Sequence, residues 1–198
     1  MSIVERKNRQ RAEREAHIVS AARAIAQREG WDAVTIRRLA QEIEYSQPVL
    51  YAHFENRDAI VGAVAVQGFE ELTEALTRAA EASGIQRNAL KSVAMAYLTF
   101  ASCSPSLYDA MFTMPTNLRF GDVESSAPLR AAFAALKLVV GPLCDNADAA
   151  TETVWATLHG LAELERAGRI KPEARADRVG LLVRAVLASG HRAVEQDD

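Results

Sequence analysis

The sequence predicts an all-α protein of about nine helices, and three observations carry that reading. Apolar residues recur at i, i+3, i+4 and i+7 along nearly the whole chain. Ala supplies roughly a fifth of the 198 residues, while Gly (10) and Pro (6) are scarce. No segment alternates with period two for long enough to argue for a sheet. A composition of 49% hydrophobic and 25% charged residues is that of a globular chain. The length is ample for a buried core in one or two domains. No fixed-period repeat appears, which excludes a solenoid.

The elements follow from their punctuation. A first helix is expected from about Gln10 to Glu29, with Ile18, Ala22, Ile25 and Ala26 on one face and Gly30 as its left-handed stop. Thr35 reads as the N-cap of a short second helix, in which Ile36, Leu39, Ala40 and Ile43 keep helical spacing. Ser46 caps a third, from Gln47 to about His53. Pro48 stands in its first turn, so the Ser46 hydroxyl is expected on the N–H of Val49. Asn56 caps a fourth helix that runs to about Ala82 and is ended by Ser83-Gly84.

Five more helices are expected beyond it. They run over about Gln86–Cys103 (stopped by Ser104-Pro105), Leu107–Thr113, Ser126 as N-cap to Val140, Ala147–Ala167 and Glu173–Ser189. Pro115–Ser125 reads as a polar loop, and Gly141-Pro142, Gly168 and Pro172 supply the later breaks. This gives three expected parts: residues 1–57 with the basic arm and first three helices, a connecting helix at 58–84, and a C-terminal bundle at 85–198.

Charge is unevenly spread. The formal net charge is −3, which taken whole argues against a nucleic-acid binder. Residues 1–57, however, carry a net of +2, against −5 for the remainder. Arg6, Lys7, Arg9, Arg11 and Arg14 fall within nine residues. A basic arm beside an acidic body is either a nucleic-acid contact or a solvated N-terminal stretch, and charge alone leaves both open. No apolar run approaches the ~20 residues of a membrane span, and the polar, Arg-rich start lacks a signal-peptide core, so a cytoplasmic protein without membrane contact is expected. Cys103 and Cys144 define neither a disulfide framework nor a metal knuckle.

The second and third helices, joined by Glu44-Tyr45-Ser46, have the spacing of a helix-turn-helix, whose second helix enters the major groove of duplex DNA by its N-terminal end. Leu50 and Phe54 would bury one side of that reading helix, leaving Ser46, Gln47, Pro48 and Val49 at the exposed end. Gln47 can pair with adenine N6 and N7, and Val49 can touch a thymine methyl. The helix starts at Thr35 and Asn56, with Arg37, Tyr51, His53 and Arg57 nearby, suit phosphate oxygens. Each has a plainer alternative: Tyr51 as a packing residue, His53 as an exposed helix-end histidine, and Gln47 as a solvated surface side chain.

At this point residues 17–72 resemble the DNA-binding domain of the TetR family of bacterial transcriptional regulators. The likeness runs through Ile18-Val19-Ser20-Ala21-Ala22, Glu29-Gly30-Trp31, Thr35-Ile36-Arg37-Arg38-Leu39-Ala40 and Ser46-Gln47-Pro48-Val49-Leu50. It ends in Tyr51-Ala52-His53-Phe54-Glu55-Asn56-Arg57, where Arg57 replaces the family's usual Lys. Two positions depart from the pattern. Glu44 stands where the family has a turn Gly, and a positive φ there would cost ~1–2 kcal/mol. Tyr45 stands where a small aliphatic residue is usual, and can pack inward or reach DNA.

The resemblance implies a C-terminal domain that forms a homodimer through the last two helices and encloses a small-molecule pocket. Trp155-Ala156-Thr157-Leu158-His159-Gly160 is similar to the Trp-x-x-x-His-Gly pattern of one C-terminal subtype. Trp155 and His159 share a helix face, as ligand contacts or as core. A pocket lined by Tyr97, Phe100, Cys103, Tyr108, Met111, Phe112 and Phe133 would take a mainly apolar or aromatic ligand, although an aromatic stripe at helical spacing is also what a plain core shows. The implied partners are a palindromic DNA operator, a second copy of the chain and a small effector. The implied action is that of a repressor released from its operator by that ligand, and the alternative is the same fold controlled by a protein partner or by nothing. No metalloprotease, phosphate-loop or nucleophile-elbow motif is present, and no cofactor or catalysis is expected.

Overall fold

The computed structural model describes residues 2–84, 86–116, 118 and 127–190. Among them are nine α-helices and no strand, as the periodicity predicts: α1 (Ile3–Glu29), α2 (Ile36–Glu42), α3 (Gln47–Tyr51), α4 (Arg57–Glu81), α5 (Gln86–Cys103), α6 (Pro105–Phe112), α7 (Ala127–Val140), α8 (Ala147–Arg166) and α9 (Arg175–Gly190). Short 3-10 turns stand at Trp31–Ala33, Gly141–Leu143 and Pro172–Ala174. The expected cap at Ser126, most of the expected loop before it and His191 onward lie outside the described residues.

Two boundaries and one cap differ from expectation for local reasons. α1 begins at Ile3, seven residues early, because Ser2 and Glu5 form a reciprocal capping box. Pro105 opens α6 rather than only closing α5, since a first-turn proline loses no intrahelical bond. The Ser46 hydroxyl makes no cap: the Val49 N–H donates to the Ser46 carbonyl at 3.0 Å instead. The caps at Thr35 and Asn56 do form, accepting from Arg38 N at 3.1 Å and Ala59 N at 2.9 Å.

The chain forms two compact units, one from Met1–Gly68 with Pro105–Ser126, the other from Phe69–Ser104 with Ala127–Asp198. α4 gives its first part to one and its remainder to the other. In the first unit α1 packs on α2 and α6, and α2 on α3. Ile18, Ala22 and Ile25 of α1 are buried with Leu39, Leu50, Ile60, Val64 and Leu107. Gly68 lets α6 come close: an added Cβ would lie 2.6 Å from Met111 Sδ. In the second unit α5 packs on α7, α8 and α9, around Leu90, Val93, Leu136, Val154, Leu158 and Val179.

Among the described residues the second unit buries one charged residue, Glu165. The Glu165 side chain is 4% exposed and receives Arg175 Nε at 2.8 Å and Arg178 Nη2 at 2.6 Å. Burial pushes its carboxyl up, but hydrogen bonds from Arg175 and Arg178 outweigh that and hold it below its ordinary range.

Candidate nucleic-acid interface

The helix-turn-helix is built as expected, with one unusual turn. α2 ends in a motif in which Tyr45 N donates to the Ala40 carbonyl at 2.9 Å, across a residue in the left-handed region. That residue is Glu44, at φ 56°, and among the described residues no other non-glycine has positive φ. α8 ends the same way: Arg169 N donates to the Leu164 carbonyl at 2.9 Å across Gly168 at φ 66°. The turn after α2 therefore keeps its geometry and bears the strain of a side chain at that position. Tyr45 is half-buried, its ring edge-on to the exposed His17 at 5.9 Å.

The reading helix α3 presents the residues the sequence assigns to DNA. Ser46, Gln47 and Pro48 are exposed, Val49 is half-buried and Tyr51 is 54% exposed, while Leu50 is fully buried. Thr35 and Arg37 at the start of α2 are exposed as well.

The remaining two candidates make bonds within the protein. Arg57 donates from Nε to the Val34 carbonyl at 2.8 Å and from Nη2 to the Trp31 carbonyl at 2.7 Å. Those bonds tie Nε and Nη2 to backbone carbonyls, while Nη1 lies 3.7 Å from Asp58 Oδ1. The His53 side chain is 8% exposed, with Nδ1 3.2 Å from Glu15 Oε1. Arg11 also bonds that carboxylate, at 2.8 Å. Arg11 first and His53 next hold Glu15 below its ordinary range against the opposing cost of burial.

Two clamps hold α2 and the turn before it. Glu42 takes hydrogen bonds from Arg28 at 2.8 Å and Arg38 at 2.6 Å, and Arg38 also reaches Glu29 at 3.0 Å. Arg28 and then Arg38 pull the Glu42 carboxyl below its usual range. The indole of Trp31 donates to the Ser106 carbonyl at 2.7 Å, a bond spanning 75 positions in sequence. Sequence reasoning missed this role of Trp31. A large aromatic directly after a helix-stopping Gly was the available signal, but nothing local names Ser106 as its partner.

The nine candidate ligand residues divide between the units. In the first, Tyr108 and Met111 are buried and Phe112 is half-buried, with Tyr108 and Phe112 ring centres 4.7 Å apart. In the second, Tyr97 is buried, Phe100, Phe133, Trp155 and His159 are half-buried, and Cys103 is exposed. Phe133 and Trp155 meet edge-on at 6.4 Å. Burial lowers the His159 pKa, with Glu163 opposing and Arg166 reinforcing the shift. Gly160 has nothing within 4 Å of an added Cβ, so no neighbouring element of this chain requires a glycine there.

Of the apolar residues on α8 and α9, Val154, Leu158, Ala162, Val183 and Val186 are core of the protomer, whereas Leu164 (45%) and Leu181 (60%) are exposed. Among the described residues no cluster of side chains could hold a metal ion, and no single helix is long and apolar enough to cross a membrane.

Comparison with known proteins agrees with this geometry. Residues 18–64 match the family model for bacterial regulatory proteins of the tetR family, and residues 90–191 match a tetracyclin repressor-like C-terminal domain. The chain is 32% identical over 154 residues to an uncharacterized HTH-type transcriptional regulator of Mycobacterium tuberculosis, covering 76% of this chain and 69% of that protein. Among solved structures, a Rhodococcus protein of unknown function aligns with a TM-score of 0.69 at 24% identity, over 88% of this chain and 93% of that one. A TetR variant from Acinetobacter baumannii in complex with minocycline aligns at 0.63 and 21%, over 89% and 95%. The chain belongs to the TetR family and is a transcriptional regulator with an N-terminal helix-turn-helix DNA-binding domain.

Proposed function

We propose that the protein is a ligand-released repressor: a homodimer that holds a palindromic operator and leaves it when a small, mainly apolar or aromatic molecule occupies the C-terminal domain. The observation that carries the DNA half is the α3 surface. Ser46, Gln47 and Pro48 stand exposed at the start of a helix whose other side is locked by Leu50. On this reading Gln47 and Val49 contact base edges, while Tyr51, Thr35 and Arg37 contact phosphates. Arg57 and His53 act one step back, holding the start of α4 and the end of α3 in place. The protein would act by binding rather than catalysis, in the bacterial cytoplasm where its DNA is.

Three features support the rest. The family's C-terminal model covers residues 90–191, and a fold relative is in complex with minocycline. The half-buried pair Phe133 and Trp155, with His159 one turn on, offers aromatic surface and one imidazole kept neutral by burial. That segment also carries the Trp-His-Gly pattern of the C-terminal subtype. The exposed Leu164 and Leu181, with the open face at Gly160, suit a partner's helices across a two-fold axis. Such a dimer would set two reading helices about one DNA turn, roughly 34–36 Å, apart. α4 then joins effector to operator, because a ligand that favours one setting of α4 lowers affinity for DNA only through that preference.

The test is selection of bound duplexes from a random library, followed by binding of the variants. Gln47→Ala should lose about 1–3 kcal/mol of discrimination at one base position, and Tyr51→Ala should weaken binding evenly across sequences. Unchanged affinity and preference in both would defeat the site assignment.

A further inference from the structure

The first half of α1 carries charge that the helix-turn-helix does not use. Residues 3–17 are exposed throughout except Glu15, which is half-buried. They are helical rather than loose because Ser2 Oγ accepts from Glu5 N at 3.2 Å and Glu5 Oε2 accepts from Ser2 N at 2.7 Å. At about 100° per residue, Arg6, Lys7, Gln10, Arg11 and Arg14 gather on one arc of roughly 140°. That arc continues the stripe which, further along, buries Ile18, Ala22 and Ile25. It therefore faces the same side of α1 as the rest of the reading unit.

Two contacts fix which part of that unit lies there. His17, near one border of the arc, meets Tyr45 just before α3, and Glu15, just past the other, meets His53 just after it. Arg11 is taken by Glu15, and Arg9 lies 3.7 Å from Glu13. Arg6, Lys7 and Arg14 are exposed and make no ion pair among the described residues.

We propose that this face of α1 is a second DNA contact, lying along the phosphate backbone outside the base pairs read by α3, with Arg6, Lys7 and Arg14 each meeting a phosphate. The inference rests on the DNA-binding reading above. Fifteen helical residues span about 22 Å, and a duplex presents one charge per ~1.7 Å of axis, so all three cations can be matched. The charge is complementary, the surface is continuous with the exposed end of α3, and the preformed helix removes the ordering cost that a floppy arm would carry. Arginine and lysine on phosphates carry no base information, so the contact adds affinity and footprint length but no sequence preference.

The experiment compares the full-length wild type with Arg6→Gln/Lys7→Gln/Arg14→Gln and with the charge-keeping Arg6→Lys/Lys7→Arg/Arg14→Lys. The probe is a duplex selected by the wild type, tested with and without its flanks. Gln keeps the helix, which circular dichroism checks. Each phosphate contact adds about 0.9 to the salt slope, so a dimer of the Gln variant should lose about 5. Between about 50 and 200 mM salt the wild type should then lose roughly a thousandfold more affinity than the variant. Trimming the flanks should weaken the wild type and the charge-keeping variant but not the Gln variant, with base preference the same in all three. Equal slopes and equal flank dependence in wild type and Gln variant would overturn the proposal alone. A wild type that selects no duplex would overturn the DNA-binding reading as well, and a Gln variant with altered base preference would overturn the assignment to phosphates.

Discussion

Glu44 offers the sharpest test of the turn geometry. Its φ of 56° puts a Cβ where L-residues are disfavoured by ~1–2 kcal/mol. Its side chain is exposed and has no hydrogen bond or ion pair among the described residues, so substitution acts through the backbone alone. Glu44→Gly removes that strain but gives the unfolded chain extra freedom worth ~0.4–1 kcal/mol. The net gain should be about 0.5–1 kcal/mol, or roughly 2–4 °C in Tm for each kcal/mol in a chain of this size. Glu44→Asn should gain less, since Asn tolerates the left-handed region only in part. Glu44→Ala should gain nothing, because it keeps the Cβ, and Glu44→Val should lose. The assay is urea unfolding followed by Trp31 fluorescence in a Trp155→Phe background, which leaves the reading unit as the sole tryptophan reporter. An alanine variant as stable as the glycine one would refute the backbone argument.

Two further outcomes follow from the hydrogen bonds that arginines donate. Arg57→Gln should cost about 2–3 kcal/mol in urea unfolding, because the Trp31 and Val34 carbonyls lose a charged donor. Operator affinity should fall with an unchanged salt slope, since no phosphate contact is removed. Glu165→Gln should cost about 3–5 kcal/mol at neutral pH by leaving Arg175 and Arg178 without their counter-charge. The folded Glu165 carboxyl lies below its ordinary 4.5. Its stabilisation is therefore complete well above that pH and is lost as pH falls through 4.5 toward the depressed folded value. Urea midpoints measured from pH 7 to 3 should show this acid loss in the wild type and less of it in the Gln variant.

What the sequence made legible was local. Thr35 and Asn56 announce their helices because a short polar side chain before an apolar period has one good use there. The exposed end of α3 follows from the spacing of Leu50 and Phe54 alone. The Ser2-to-Glu5 box was equally readable, but five basic residues in its wake draw attention to charge before helicity. Ser46 shows the opposite error, since the residue type suits a cap and the backbone carbonyl took the bond instead. Arg57 and His53 carry the right chemistry for phosphate, and only the positions of Val34, Trp31 and Glu15 show the bonds they make within the protein. The split of the aromatic set between two units depends on α6 joining the N-terminal one, which no local pattern encodes.

The Trp31–Ser106 bond bears on how such regulators can be recombined and synthesised. The reading unit is discontinuous, with α6 arriving after a long excursion through α5. A hybrid spliced at the end of α4 would give the reading unit a foreign partner at Trp31 and Gly68, so exchange of C-terminal domains should carry residues 105–118 with the N-terminal half. On the ribosome the same bond sets a schedule: α1 to α4 emerge first, and their packing against α6 waits until more than half the polypeptide has been made.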